Sequence, residues 1–359
     1  MNRTPNGFRR AALASLAALT VGAPCCGGGD FTSIAEVRDL RVLAVPADKP
    51  YAAPGDTVTF RLTYADALGT EPRPVQVTWL GGCVNPIGDQ YLGCFLQFQE
   101  VFAAVASGMA DPTGLFKQEM VAAEQSGVPD AVSFEMAISD DVLKEPRIAE
   151  SGVPFSTAYA FFIVCAGTVR PTAGAQGVES FPLECVDADG NVLGADGFVA
   201  GYTQAYVFAD GRPNTNPPVL GMTIDGAEMP DDAETAPVVE KCAAKPATPQ
   251  EGGGCAPPGA DDCKTYKIQA TVEDVAEVDP ESVAPGQPPV KEAIWVDYFA
   301  DKGDITGFRQ LVNDPATGYK PAPATTFTPP AEPGLVNIWA VVHDARGGSS
   351  IIRRVVRVE

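Results

Sequence analysis

Apolar residues in this chain recur at every second position, in short runs punctuated by proline, glycine and aspartate, and that period constrains the fold more than any other feature. Over residues 57–64, Val58, Phe60, Leu62 and Tyr64 share one parity while Thr57, Thr59, Arg61 and Thr63 share the other. This is the pattern of a strand with one buried face. The preceding Ala53-Pro54-Gly55-Asp56 is turn chemistry that starts a strand. Val75, Val77 and Trp79 repeat the pattern. Residues 156–165 form a continuous apolar run that predicts a central strand buried on both faces, and residues 202–208 form a further strand. Beyond residue 218 the alternation returns in residues 219–224, in Tyr266, Ile268, Ala270 and Val272, in Ile294, Val296 and Tyr298, in Val336, Ile338, Ala340 and Val342, and in residues 351–358. Strands that follow strands, separated by turn residues, predict antiparallel sandwiches.

Two stretches interrupt the period. Phe95, Leu96, Phe98, Val101, Phe102 and Val105 fall at helical spacing, and residues 115–125 read as a second helix. The expectation is therefore an all-β chain with a helical insertion near 95–126. Arg212-Pro-Asn-Thr-Asn-Pro-Pro218 is a polar, proline-rich linker. It divides a first sandwich over 37–211 from a second over 219–359. The second carries an insertion near 226–262, rich in Pro, Gly, Ala and acids, whose composition predicts disorder.

The front of the chain carries a different signal. Arg3, Arg9 and Arg10, with no acid among them, precede the uncharged run AALASLAALTVGA over residues 11–23. Basic start, short apolar segment and small residues at a junction mark a secretory signal peptide over residues 1–25. The run is well short of the roughly 20 residues a membrane-spanning helix needs. The junction, with Cys25 and Cys26 followed by Gly27-Gly28-Gly29-Asp30, resembles the lipobox of bacterial lipoproteins, with Pro24 and Gly22 departing from the usual residues. That resemblance implies acylation of Cys25 or Cys26, a flexible tether over 26–36 and an outer-membrane destination. The alternative is a soluble periplasmic or secreted protein.

The formal charge of −21 argues against a nucleic-acid partner, since phosphate neutralisation requires clustered Lys and Arg. Between residues 225 and 281 there are 14 acids and 4 lysines, a net of −10, so nearly half the excess lies in one stretch. Seven cysteines follow the junction: Cys83, Cys94, Cys165, Cys185, Cys242, Cys255 and Cys263. None stands in a C-x-x-C motif or near the single histidine, so zinc-ligand spacing is missing and disulfides are the expected use in an exported chain. Cys83–Cys94 and Cys165–Cys185 are the sequence-local pairings. Of Cys242, Cys255 and Cys263, one is left over.

VNIWAVVHDARGG over residues 336–348, followed by a final strand, is similar to the last hairpin of PKD and other immunoglobulin-like domains, with Asp344, Gly347 and Gly348 in the turn. RVLAVPADKPYAAPGDTVTFRLTY over residues 41–64 resembles the opening strands of another. With the leader, the whole chain resembles lipoproteins of Gram-negative bacteria that carry immunoglobulin-like modules. The resemblance implies two immunoglobulin-like antiparallel β-sandwiches in tandem at the cell envelope, and it implies no ligand.

Candidate chemistry is sparse. His343 is the single histidine, which removes His-rich metal sites, and with no G-x-S-x-G elbow a Ser-His-Asp triad lacks its serine. At a strand end on the parity opposite Ile338, Ala340 and Val342, His343 is expected at the surface. No nucleotide motif is present. Glu119, Glu135, Asp140 and Glu145 stand as candidates for a glycosidase-like carboxylate pair, at spacings that specify nothing. Asp187-Ala-Asp-Gly-Asn191 departs from a calcium loop, with Gly190 at the fourth position, and reads as a hairpin turn. Residues 273–281 are acidic enough to attract calcium between the sandwiches, with a solvated face as the plainer reading.

Trp295 and Trp339 lie on the parity opposite the main apolar faces of their strands. Exposed together they would make a stacking platform for a sugar ring. Ala293, Phe299 and Val341 share their parity and favour a covered face, packed against the first sandwich. The combined expectation is a cell-envelope lipoprotein with a structural or adhesive role, no catalytic residues, no metal and no cofactor, held to the membrane by its N-terminal lipid. The alternatives are a surface module binding envelope polysaccharide or a protein partner, and an exported hydrolase using a carboxylate pair.

Overall fold

A computed structural model describes residues 33–69, 71–86, 93–94, 98, 114–172, 183–242, 263–282 and 288–359. Among these, the extended elements are all strands, and helical geometry is confined to single turns such as Ala123–Gln125 and Pro280–Ser282. The strands before residue 212 are β1 (Leu40–Ala44), β2 (Thr57–Asp66), β3 (Val75–Val84), β4 (Phe116–Val121), β5 (Val132–Ala137), β6 (Arg147–Ile148), β7 (Pro154–Cys165), β8 (Thr168–Pro171), β9 (Leu183–Val186) and β10 (Phe198–Phe208). After it come β11 (Gly221–Ile224), β12 (Ala227–Glu228), β13 (Val238–Val239), β14 (Tyr266–Thr271), β15 (Ile294–Ala300), β16 (Asp304–Thr306), β17 (Arg309–Asp314), β18 (Gly318–Tyr319), β19 (Ala324–Thr328), β20 (Gly334–Asp344) and β21 (Ser349–Val358).

Each sheet draws its strands from one side of residues 212–218. The first sandwich packs β1-β2-β5 against β10-β7-β3-β4, and the β8-β9 hairpin stands beside them. The second packs β12-β11-β14-β19-β16 against β13-β21-β20-β15-β17-β18. All ladders among these strands are antiparallel except the short β13–β21 pair.

Parity places the cores. Val58, Phe60, Leu62 and Tyr64 of β2 meet Val75, Val77 and Trp79 of β3 in the first core, where Trp79 stacks on Phe134 at 5.3 Å between ring centroids. β7 is central, hydrogen-bonded to β10 on one side and β3 on the other, and its inner residues Ala158, Ala160, Phe162 and Val164 belong to that core. Met222, Ile268, Val296, Tyr298, Phe327, Ile338, Val342 and Val356 fill the second.

Two expectations are corrected. Residues 116–121, expected as part of a helix, form β4, with Phe116 opposite Leu80 and Val121 opposite Val75. FKQEM is a fair helix former, but the open edge of β3 offers a complete backbone ladder, and such context overrides propensity. The other predicted helix, over 95–105, lies outside the described residues except for Phe98, which packs edge-on against Phe161. Of the segment expected to be disordered near 226–262, residues 243–262 lie outside the described residues, while 226–242 are placed and include two short strands. β12 closes a hairpin on β11, β13 runs parallel to β21, and Arg354 reaches Asp231. These pieces have no core of their own and take their order from the sheet edges and from burial of Met229 and Val239 in the second core.

Candidate functional site at the junction of the sandwiches

The two sandwiches are pinned to each other at both ends of β15. At the end that begins with Ile294, the 212–218 linker lies against the β20–β21 turn. Asp344 opens that turn, accepting the amides of Arg346 at 2.8 Å and Gly348 at 2.7 Å on Oδ1. A Cβ at Gly348 would stand 2.3 Å from Asp344 Oδ2, so only glycine fits this close approach. Burial raises the Asp344 pKa above the ordinary carboxylate value, and the backbone donors oppose that shift. Asn214 of the linker donates to Asp344 Oδ2 at 3.2 Å and to the Arg346 carbonyl at 3.3 Å.

Arg346 is the centre of this end. Its Nε donates to Glu292 Oε2 at 2.7 Å, and its Nη2 to Glu292 Oε1 at 3.1 Å and Glu277 Oε2 at 2.7 Å. The Arg346 and Glu292 side chains are only 5% and 3% exposed, so this ion pair is removed from water. Burial opposes the guanidinium charge, yet the hydrogen bonds to Glu292 and Glu277 outweigh it and the Arg346 pKa is raised. The guanidinium also lies 5.9 Å from the ring of Tyr51 in the first sandwich. Asn216 spans the junction directly, donating to the Ala47 carbonyl at 2.8 Å and accepting from the Ser349 amide at 2.9 Å. Arg212 joins Asp210 to Glu281, and Glu281 accepts from the Ser151 amide at 2.9 Å and hydroxyl at 2.8 Å. A cavity of about 330 Å³ is lined here by Thr215, Asn216, Glu277, Glu292, Asp344 and Arg346, among others.

At the other end of β15 the chain entering the first sandwich crosses the second. Val37 donates to the Ala300 carbonyl at 2.8 Å and Ala300 donates to Ala35 at 2.9 Å, making a parallel bridge at Glu36. Ala35 is buried in the core of the second sandwich, while Val37 joins Leu43, Ala44, Ala65, Phe299, Trp339 and Val341 in an apolar cluster between the two. Arg41 donates to the Glu36 carbonyl at 3.2 Å and stacks its guanidinium 4.9 Å from the Phe299 ring.

Trp339 anchors that cluster at 1% exposure, and its Nε1 donates to the Gly127 carbonyl at 2.8 Å. The sequence assigned it correctly to the outer face of its strand, where it pairs with Phe299 while Trp295 pairs with His343. The first sandwich covers that face at Trp339, so the two tryptophans form no shared platform. Trp295 is half-buried, stacked on His343 at 5.3 Å with the Arg309 guanidinium 5.6 Å from its ring. Arg309 holds Asp297 through two hydrogen bonds of 2.7 Å. His343, expected at the surface, is half-buried, with its side chain 28% exposed. Burial lowers its pKa, the Asp297 carboxylate 3.7 Å away opposes this, and Arg309 reinforces it.

The carboxylate candidates do not converge. Glu119 pairs with Lys117 on β4, Glu135 is exposed on β5 in the opposite sheet, and Asp140 and Glu145 are exposed in the loop beyond β5. Asp187 caps a turn, accepting the amides of Asp189 at 2.9 Å and Asn191 at 2.8 Å. In the acidic stretch, Glu277 and Glu281 are engaged by Arg346 and Arg212. No group of three or more potential metal ligands is assembled among the described residues.

Among those residues there are three disulfides: Cys83–Cys94, Cys165–Cys185 and Cys242–Cys263. Such use of cysteine fits an oxidising, extracytoplasmic compartment. Cys255 and the lipidation candidates Cys25 and Cys26 lie outside the described residues. No helix among the described residues is long and apolar enough to cross a membrane. Sequence reading missed Arg346 and Asn214. The one available signal was an arginine inside a glycine-rich turn, a poor site for a charge unless a buried acid awaits it.

No protein-family profile matches the chain, and no curated protein matches it. Similar solved structures include native α-2-macroglobulin of E. coli, 10% identical with a TM-score of 0.21, the match covering 90% of this chain and 17% of that one. The tandem V-type regions of VCBP3, a v-region-containing chitin-binding protein, are 8% identical with a TM-score of 0.24, over 89% of this chain and 99% of that one. Murine CEACAM1b is 9% identical with a TM-score of 0.20, over 89% and 100%. The chain thus spans under a fifth of the macroglobulin's length, and likenesses this weak assign it no role.

Proposed function

We propose that this chain is an exported, lipid-anchored module of the cell envelope, built of two immunoglobulin-like sandwiches, with a structural or adhesive role and no catalysis. The observation that carries the reading is the double pinning of the sandwiches, by the linker at one end of β15 and by residues 35–37 at the other. A linker alone would leave two domains free to reorient. Here Trp339, Asn216 and Glu281 fix one arrangement, which suits a part that holds a shape between surfaces. The leader and the disulfides support export, and the cysteine junction supports the lipid.

The test is the intact mass of protein expressed with its native leader in a Gram-negative host, with and without thiol alkylation. The expected mass lacks the leader and carries acyl chains on Cys25 or Cys26. A cleaved, unacylated mass refutes anchoring and leaves a diffusible protein.

A further inference from the structure

We infer that the protein stands on the membrane by the end of the junction that carries Ile34, Ala300 and the β15–β16 turn, so that both sandwiches meet the bilayer side by side and the linker end points away. The inference rests on the anchored reading above and adds to it an interaction surface, with the lipid bilayer as partner.

The argument starts from chain length. From Cys26 to Ile34 there are eight residue steps, and a fully extended chain spans at most about 3.5 Å per step, or about 28 Å. From Ile34 onward the chain is fixed: Ala35 is buried in the second core, Val37 in the junction, and the Val37 and Ala300 amides close the bridge. The lipid therefore holds the mouth of the junction, not the tip of a first domain.

The alternative posture, with the linker end down, can be weighed by distance. It would raise Ala300 above the bilayer by the length of β15, six steps of about 3.4 Å or roughly 20 Å. The Asp344–Gly348 turn and the linker lie beyond Ile294 and add to that height. A tether of about 28 Å would have to run nearly taut down the flank, and ordering each of its residues costs conformational entropy. With the Ala300 end down no such extension is required.

Apolar exposure does not choose between the ends, since Ile148, Leu220 and Val278 are 66%, 55% and 47% exposed toward the linker, but the tethered end also offers apolar contact. Ile34, Leu68 and Leu335 are large apolar side chains left 59%, 40% and 39% exposed. Leu68 follows β2 just beyond Asp66, which pairs with Leu40, and Leu335 lies three residues before Ile338, which pairs with Ala300. Arg38 and Lys302 are exposed at this end, with Glu71 and Asp304 of opposite charge, so the tether, rather than net charge or apolar area, sets this face to lipid.

Hydrogen exchange on the lipidated wild-type protein tests this. Protein bound to phosphatidylethanolamine–phosphatidylglycerol vesicles is compared with the same chain produced from Gly27 without the leader, and acylation is verified on the same sample by intact mass. Peptides covering 67–74, 301–304 and 329–335 are expected to exchange at least roughly twofold more slowly on vesicles, with 209–218 and 345–348 unchanged. Protection at 209–218 and 345–348 instead, or at neither end, in acylated and vesicle-bound protein overturns the orientation while leaving the anchor intact. Protein that carries no acyl mass overturns both.

Discussion

Arg346→Met tests how much the buried ion pair between the β20–β21 turn and the segment before β15 stabilises the second sandwich where the linker lies against it. The substitution removes a guanidinium and leaves the Glu292 carboxylate, 3% exposed, with one remaining donor, the Glu277 amide at 3.0 Å. Stranding one partner of a buried pair costs about 3–5 kcal/mol, because the remaining charge keeps its desolvation penalty without its partner. The Glu277 carboxylate is 53% exposed, so its share of the network is screened and adds no more than about 1 kcal/mol. Replacing both partners by methionine removes the buried charge altogether, and R346M/E292M is expected within about 1–2 kcal/mol of wild type. The cycle then shows a coupling of at least about 2 kcal/mol. Urea unfolding followed by tryptophan fluorescence measures it. With a slope of about 2 kcal/mol per molar, the single variant's midpoint falls by about 2 M. A single variant that loses less than about 1 kcal/mol, or a double variant as unstable as the sum of the singles, refutes the reasoning, since neither outcome is compatible with a charge pair isolated from water.

His343 is the chain's single histidine, so its imidazole protons titrate as one resolved NMR signal in protein carrying no histidine tag. Burial lowers its pKa, so as pH falls through about 6.5 the unfolded chain takes up a proton that the native state refuses. Stability is expected to decline from pH 6.5 down to the native pKa, and His343→Gln to remove that decline; a native midpoint at or above 6.5 contradicts the assignment. Gly167→Ala would set a Cβ 2.1 Å from the Val186 carbonyl oxygen, a backbone atom that cannot swing aside. A loss of about 2–3 kcal/mol is expected in thermal unfolding, and a variant that melts with wild type shows that the β8–β9 hairpin moves freely. Replacing Cys165 and Cys185 together by alanine opens a loop of 20 residues beside the first core, with an expected loss of about 2–4 kcal/mol. Unchanged melting under non-reducing conditions would show that this bond contributes nothing to the fold.

Within single strands the sequence alone was decisive. The inner faces of β2, β3, β14, β15 and β20 follow from parity, since alternation is written within each segment and needs no knowledge of its neighbours. The continuous apolar run of β7 marked a strand with sheet on both sides for the same reason. Cys83–Cys94 and Cys165–Cys185 close over 11 and 20 residues, a range in which nearness along the chain carries information. The tertiary structure decided what meets an outer face or an open edge. β4 became a strand because the edge of β3 was free, and β13 was ordered by β21. Cys242 bonded Cys263 across a fold that sets the Glu240 amide 2.7 Å from the Tyr266 hydroxyl. Parity told which way Trp339 points, but not that Gly127 of the other sandwich would cover it, nor that Arg346 would find Glu292 across the β20–β21 turn. Both contacts join residues far apart in sequence through surfaces with no period of their own: Arg346 meets Glu292 only when β15 pairs with β20 inside the second sandwich, and Trp339 meets Gly127 only once the two sandwiches have docked.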